Sequence, residues 1–386
     1  MTGSHAYLGA DIFDGEIRLQ GHALLVEDGR VSALVHEGAI PDAAGVTWLD
    51  GGLIAPGFVD LQVNGGGGVM FNDDPSVDVL RVMARAHAGL GATAILPTLI
   101  TDTARHTRAA IAAVETALVE GVAGIIGLHL EGPHLSVARK GAHEAGLIRE
   151  MQADDLALLC EAAARLPVLM VTLAPENVSP DQIRVLAAAG VIVSLGHSDA
   201  GFEPCMAAAE AGASCVTHLF NAMSQLGNRE PGLVGAALTS GGLSAGLIAD
   251  GIHVHPATIR AALAAKQGPG RVFLVSDAMS VAGSAQTEFT LNGRLIRREG
   301  GRLTLEGGTL AGADLDQLTA IRNLVGWGIV GEDAALAMAT SIPADVIGAT
   351  RFGRLTPGGP ADFLYLGGPD QPASVWQAGQ PVPSRP

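Results

Sequence analysis

From Val59 to Ala278 the chain repeats one rhythm, a short continuously apolar run followed by a longer stretch with apolar residues at helical spacing. The apolar runs are VDLQV (59–63), ATAILPTL (92–99), GIIGLHL (124–130), VLMVTLA (168–174), VIVSLGH (191–197), CVTHLF (215–220), GLIAD (246–250) and VFLVSDA (272–278). Strands that read as apolar on both faces are those of a parallel sheet covered by helices. The stretches between them, among them 77–90, 103–121, 153–166 and 181–190, carry helical periodicity, and several end in glycine, a common helix stop. Eight such βα units over about 290 residues fit a closed (β/α)8 TIM-like barrel better than an open doubly wound sheet.

The flanks read differently. Residues 1–56 alternate short apolar runs with Gly and Asp turns and predict short antiparallel strands, with Asp28-Gly29 at a hairpin tip. The tail from 357 to 386 offers further strands that can pair with the first ones, so both chain ends build one small β-sandwich beside a barrel spanning 57–356. Between barrel and tail, 288–310 reads as a hairpin excursion turning at Asn292-Gly293, followed by helices near 313–325 and 332–339.

Composition narrows the function. With 39 acidic against 23 basic residues the formal charge is −16, which excludes the positive stripe that a nucleic-acid phosphate backbone requires. No secretory signal is visible at the N-terminus, and the longest uncharged run, 231–249, is broken by five glycines, so no membrane span is expected. Three scattered cysteines, Cys160, Cys205 and Cys215, are too few for a disulfide framework and fit a reducing, cytoplasmic compartment.

In this fold the chemistry gathers where strands end. Strand three ends on Glu131, strand five on His197, strand six carries His218, and strand eight ends on Asp277; Asp250 and His253 follow strand seven. One Glu with two His is a catalytic zinc set that leaves a fourth position open. A divalent ion there lowers the pKa of bound water to about 7, and a neighbouring Asp can take and return the proton. Each residue alone also has a plainer reading, as a hydrogen-bonded barrel histidine, a solvated loop carboxylate or a helix cap. His143 sits on a loop after strand three within reach of the rim, whereas His22, His36, His87 and His106 lie in patterns whose default is the surface. The NGGGG run at 64–68 reads equally as an anion cradle or a mobile loop.

The strings APGFVDLQVNGGGG, HLEGPHL, KGAHEAG, TLAPE, GHSDA, THLFNAM, DGIHV and VSDAM, in this order, resemble N-acetylglucosamine-6-phosphate deacetylases of the amidohydrolase superfamily. The resemblance implies that Glu131, His197 and His218 bind one divalent metal per subunit, zinc or else iron(II), and that Asp277 is general base and then acid. It further implies substrate contacts from Ala142, His143, Asn221, Ala222, Arg229, Asp250, His253, Leu310, Ala311 and Gly312. Arg229 would complete the phosphate site of a neighbouring subunit, which implies a homodimer, and the substrate would be a phosphorylated amino sugar. Two departures stand out. Gln62 and Asn64 occupy the positions where many superfamily members carry His-x-His for a second metal, and carboxamides are poor ligands for such ions. Asp314 falls where the family has an apolar run, which puts the shape of the sugar pocket in question. The competing readings are an amidohydrolase acting on a cyclic amide or N-acyl amino acid, and a non-catalytic sensor of amino-sugar phosphates.

Overall fold

The computed structural model describes residues 3–368 and 373–383, so residues 1–2, 369–372 and 384–386 of the two expected terminal segments lie outside the described residues. All eight expected strands form one parallel sheet: β1 (Phe58–Val63), β2 (Ala92–Ile100), β3 (Leu128–Glu131), β4 (Leu169–Leu173), β5 (Ile192–Leu195), β6 (Cys215–Val216), β7 (Ser244–Leu247) and β8 (Val272–Leu274). A parallel bridge between Val63 and Ala278 brings β8 back to β1, reinforced by the Asn64 amide donating to the Ala278 carbonyl at 2.8 Å. The sheet is thereby wrapped into a barrel whose β1, β2 and β4 are buried along their whole length.

Outside it lie α1 (Val77–Ala88), α2 (Ala104–Val119), α3 (Ala153–Ala163), α4 (Pro180–Ala188), α5 (Phe202–Glu210), α6 (Gly232–Thr239), α7 (Pro256–Ala265) and α8 (Gln317–Gly326). Their starts are written in the sequence. Ser76, Thr103 and Ser179 each accept a hydrogen bond from a first-turn amide, and Pro180 and Pro256 occupy first helical positions. α8 begins at Gln317 and not at 313, because Leu310–Ala313 is a strand and Asp316 accepts from the Thr319 amide as the cap. The uncharged run 231–249 contributes the almost wholly buried α6, and no helix among the described residues is long and apolar enough to cross a membrane.

The chain ends build two further sheets, one of four strands from residues 5–48 and one of six strands joining 11–19 and 53–56 to 363–381. Their shared core contains Tyr7, Ile12, Leu24, Ile54, Leu355 and Phe363, with Trp376 stacked on Phe363 at 4.7 Å. The expectation of antiparallel strands needs correction. His5–Leu8 runs parallel to Gly45–Trp48, and Asp11–Phe13 parallel to Leu53–Pro56, because the chain crosses between the sheets before pairing again. Asp28 and Gly29, at φ 49° and 76°, form the expected tip, as do Asn292 and Gly293 at 50° and 73°. The excursion is a four-stranded antiparallel sheet, 288–291, 294–299, 302–305 and 310–313, lying over the mouth of the barrel.

Candidate active site

At the strand-end rim a cavity of about 550 Å³ brings together Asn64, Glu131, Ala142, His143, His197, His218, Asn221, Ala222, His253, Asp277, Leu310 and Gly312. Arg229, Asp250 and Ala311 do not line it. Arg229 is exposed, Asp250 stands behind His253, and Ala311 is fully buried in the small core beneath the excursion.

Its centre is a knot of acceptor atoms. The Glu131 Oε1 lies 3.0 Å from His218 Nε2 and 3.2 Å from His197 Nε2, and those two nitrogens are 3.1 Å apart. The proton on His197 can be placed. Its Nδ1 lies 2.8 Å from the Arg139 carbonyl, which only accepts, so Nδ1 carries the hydrogen and the neutral ring turns a bare Nε2 lone pair toward Glu131. Burial alone would raise the Glu131 carboxyl, but the adjoining imidazoles of His197 and His218 hold it well below the usual range. Burial opposes charge on His218 as well, yet the Glu131 hydrogen bond raises it.

Gln62 and Asn64 are second-layer donors. Gln62 Nε2 donates to Glu131 Oε1 at 3.2 Å, and Asn64 Nδ2 donates to Asp277 Oδ1 at 2.7 Å. Burial, assisted by the Glu131 charge, pushes the Asp277 carboxyl up to about 6. His197, His218 and Asp277 all have positive φ, at 47°, 28° and 49°. These left-handed conformations are costly for residues with a Cβ, and they cluster where function fixes the side chain.

Glu131, His143 and His197 also offer ligand atoms within 4.8 Å of one another, so His143 competes with His218 for a place in any metal set. Hydrogen bonding separates them. The Thr101 amide donates to His143 Nδ1 at 3.3 Å, and the Thr101 hydroxyl, 2.8 Å from the same nitrogen, can donate to it as well, so the proton of the neutral ring is on Nε2, 3.9 Å from Glu131 Oε2. Burial, together with the neighbouring His197, keeps this ring well below ordinary histidine basicity. His143 therefore presents an N–H to the cavity, and His197 a lone pair. Opposite, Asp250 Oδ2 lies 2.6 Å from His253 Nδ1 while Oδ1 accepts from the Ile252 and His253 amides. His253 is thereby held with Nε2 turned the other way. Burial works against the Asp250 charge, but the His253 hydrogen bond lowers its carboxyl.

Three expectations fail here for stated reasons. The NGGGG run is not an anion cradle, because the amides of Gly65, Gly67 and Gly68 are spent on the carbonyls of Ala278, Ala282 and Ser280. His87 is not on the surface; it is buried with Nε2 2.8 Å from the Gly65 carbonyl. Asp314 does not enter the pocket, because its carboxylate accepts from Arg298 Nε at 2.8 Å outside the cavity lining. The supporting roles of Gln62, Asn64, Thr101 and the Arg139 carbonyl were missed; the carboxamides in place of His-x-His were the one signal available.

The amidohydrolase family model matches residues 53–382. The chain belongs to the amidohydrolase family. This amidohydrolase is 46% identical over 332 residues, 86% of its length and 84% of the relative's, to an N-acetylgalactosamine-6-phosphate deacetylase of Shewanella sp. (strain ANA-3). It is 34% identical to the N-acetylglucosamine-6-phosphate deacetylase of Haemophilus influenzae, over 86% of both chains. Among solved structures, the N-acetylglucosamine-6-phosphate deacetylase of Pasteurella multocida matches with a TM-score of 0.93 at 33% identity, over 98% of this chain and 99% of that one.

Proposed function

We propose that this amidohydrolase hydrolyses the acetamide of an N-acetylhexosamine 6-phosphate, with N-acetylglucosamine 6-phosphate as first substrate, releasing acetate and the amino-sugar phosphate. The observation that carries this reading is the convergence of Glu131 Oε1 and the Nε2 atoms of His197 and His218 at 3.0–3.2 Å beside the buried Asp277 carboxyl. A tetrahedral ion bound at 2.0–2.1 Å spaces its ligands about 3.4 Å apart, so this donor set fits one divalent cation with little movement. Glu131, His197 and His218 would hold it; we take zinc as the ion and iron(II) as the substitute.

A bound divalent cation supplies Lewis acidity, making a carbonyl more electrophilic and water more acidic. The remaining work falls to this chain. Asp277, oriented by Asn64, takes a proton from the attacking water and returns it to the leaving nitrogen. The His143 Nε2–H, its ring fixed by the Thr101 amide, would donate to the oxyanion that develops on the acetyl carbonyl. His253, braced by Asp250, would contact the sugar, together with Leu310 and Gly312 of the excursion, which line the same cavity. Asn221 and Ala222 at the rim, joined by Arg229 from a second subunit, would hold the 6-phosphate; a guanidinium suits bidentate phosphate contacts. The exposure of Arg229, and its absence from its own chain's cavity, supports that arrangement in a homodimer. Free Cys160, Cys205 and Cys215 support a cytoplasmic setting.

A second reading has its own support: the 46%-identical Shewanella relative is named for the galactosamine epimer. Acetate release should be measured from both epimeric 6-phosphates and from unphosphorylated N-acetylglucosamine, using zinc-reconstituted and chelated protein. Turnover of a 6-phosphate by the zinc form alone is expected, and the faster epimer names the substrate. Turnover unaffected by chelation, or none on either 6-phosphate, overturns the proposal.

A further inference from the structure

Directly beneath the knot of acceptors, a line of buried side chains crosses the barrel interior. The His129 Nδ1 lies 2.9 Å from the Leu61 carbonyl, and its Nε2 lies 2.7 Å from Thr172 Oγ1. Thr172 Oγ1 is 2.6 Å from Thr217 Oγ1, which is 2.6 Å from Ser194 Oγ. All four side chains are buried, at 3% exposure or less. The line starts on β1 and passes through β3, β4 and the residue that follows β6 to β5. Three of its members sit close in sequence to the ligand set: His129 two residues before Glu131, Thr217 immediately before His218, and Ser194 three before His197.

Donor counting gives the line one direction. The Leu61 carbonyl can only accept, so the His129 proton is on Nδ1 and Nε2 must receive from Thr172. Thr172 has then spent its single hydroxyl proton and can only accept from Thr217, which in turn can only accept from Ser194. Each hydroxyl is left with one possible orientation. A buried polar chain in which every proton is committed resists distortion, because shifting one member strands its neighbours without partners.

We infer that His129, Thr172, Thr217 and Ser194 form a positioning network that sets the spacing of Glu131, His197 and His218 for a cation. The inference rests on the metal reading above. None of the four touches substrate; His129, Ser194 and Thr217 act through the chain segments that carry Glu131, His197 and His218, and Thr172 on β4 ties them together. Metal ligands held by such outer partners typically lose about 10–100-fold in affinity when a partner is removed.

The test is zinc affinity of chelator-stripped protein, measured by competition with a chromophoric chelator and read beside the melting temperature of the metal-free form. Thr172→Val keeps the shape of the side chain and breaks the line in the middle. Affinity lower by about 10–100-fold is expected, with Thr172→Ser restoring it. Zinc affinity equal to wild type in Thr172→Val, even with a lowered melting temperature, overturns the inference. So does a Thr172→Ser variant as weak as Thr172→Val, because packing would then be the cause. If Thr172→Val does not fold, Ser194→Ala at the end of the line decides: weaker zinc binding supports the network, and unchanged binding overturns it. Wild-type protein that binds no zinc sinks the metal reading first, and the network inference with it.

Discussion

Asp277→Asn isolates proton transfer from everything else the site does. In the structure Asn64 Nδ2 donates to Asp277 Oδ1 at 2.7 Å. An asparagine can keep its carbonyl oxygen on that donor, which places its NH2 where Oδ2 stood. The shape and the Asn64 contact survive, and the repulsion with Glu131 is relieved. What disappears is the carboxylate lone pair that takes a proton from water and returns it to nitrogen. Positioned acid–base groups contribute about 10²–10⁴-fold, so turnover should fall by that factor, about 3–5.5 kcal/mol of barrier. The assay is kcat for acetate release at pH 7.5 from N-acetylglucosamine 6-phosphate, with zinc per chain and circular dichroism recorded on the same samples. A variant that binds one zinc, folds normally and keeps a tenth or more of wild-type turnover would refute Asp277 as the proton carrier. The pH profile is a second check. As a base Asp277 must be ionised, so activity rises with pH. Burial and the Glu131 charge put its carboxyl at about 6, and a neighbouring cation can only draw that value down. The acid limb of the loaded enzyme should therefore lie at or below about pH 6. A limb well above that would point to another group.

Further outcomes are expected elsewhere in the molecule. Arg229→Ala and Asp277→Asn proteins, each inactive alone, should recover about a quarter of wild-type activity after mixing and subunit exchange, because half of the dimers are then hybrids with one intact site. No recovery in exchanged dimers would place Arg229 in its own chain's site or outside both. Asp250→Asn weakens a charge-assisted bond to His253 and should lower kcat/KM by about 10–100-fold, with zinc content unchanged; an unaltered kcat/KM would deny His253 its contact. Asp362 accepts from the Ala378 amide at 2.7 Å, and burial lifts its carboxyl from 3.8 to about 6. The folded state thus holds this proton more tightly than the unfolded chain. The associated stability, about 3 kcal/mol, is present at low pH and lost as pH rises from about 4 through 6. Asp362→Asn should accordingly raise the melting temperature at pH 7.5 and leave it unchanged at pH 4, and an equal gain at both would refute the burial argument.

Much of this was legible beforehand because periodicity and turn chemistry are local. The barrel strands, the Asp28-Gly29 and Asn292-Gly293 tips and the excursion follow from residues read in order. The direction of strand pairing at the N-terminus does not, since it depends on where the chain goes between strands. The burial of His87 likewise reflects a carbonyl contributed from 22 residues away. In the rim cavity, Glu131, His197, His218 and Asp277 could be named because strand ends converge in a barrel. Which histidine offers a lone pair and which an N–H depends on the Arg139 carbonyl and the Thr101 amide, and no spacing rule reaches those atoms.

Backbone conformation at the rim shows why chemistry had to be read from side chains. His197, Phe220, Ala222 and Asp277 lie at φ 47°, 76°, 48° and 49°, where glycine would be the unstrained choice, and His218 lies at 28°. Each such residue costs about 1–3 kcal/mol unless the surroundings hold it. Glycine at 197, 218 or 277 would relieve that strain and remove an imidazole or a carboxylate from the knot. The conflict is settled in favour of the side chains, and the barrel absorbs the cost, since β5, β6 and β8 are fixed by neighbouring strands on both sides. A rim in this state also gathers Glu131, two imidazole nitrogens and Asp277 with more acceptors than protons. Strain and crowded lone pairs both destabilise the empty fold, and a divalent cation bound among them relieves the second directly. Binding of that kind stabilises the folded state in proportion to how far the ion exceeds its dissociation constant. The features that make this rim expensive to fold are therefore the ones that give a cation a reason to stay.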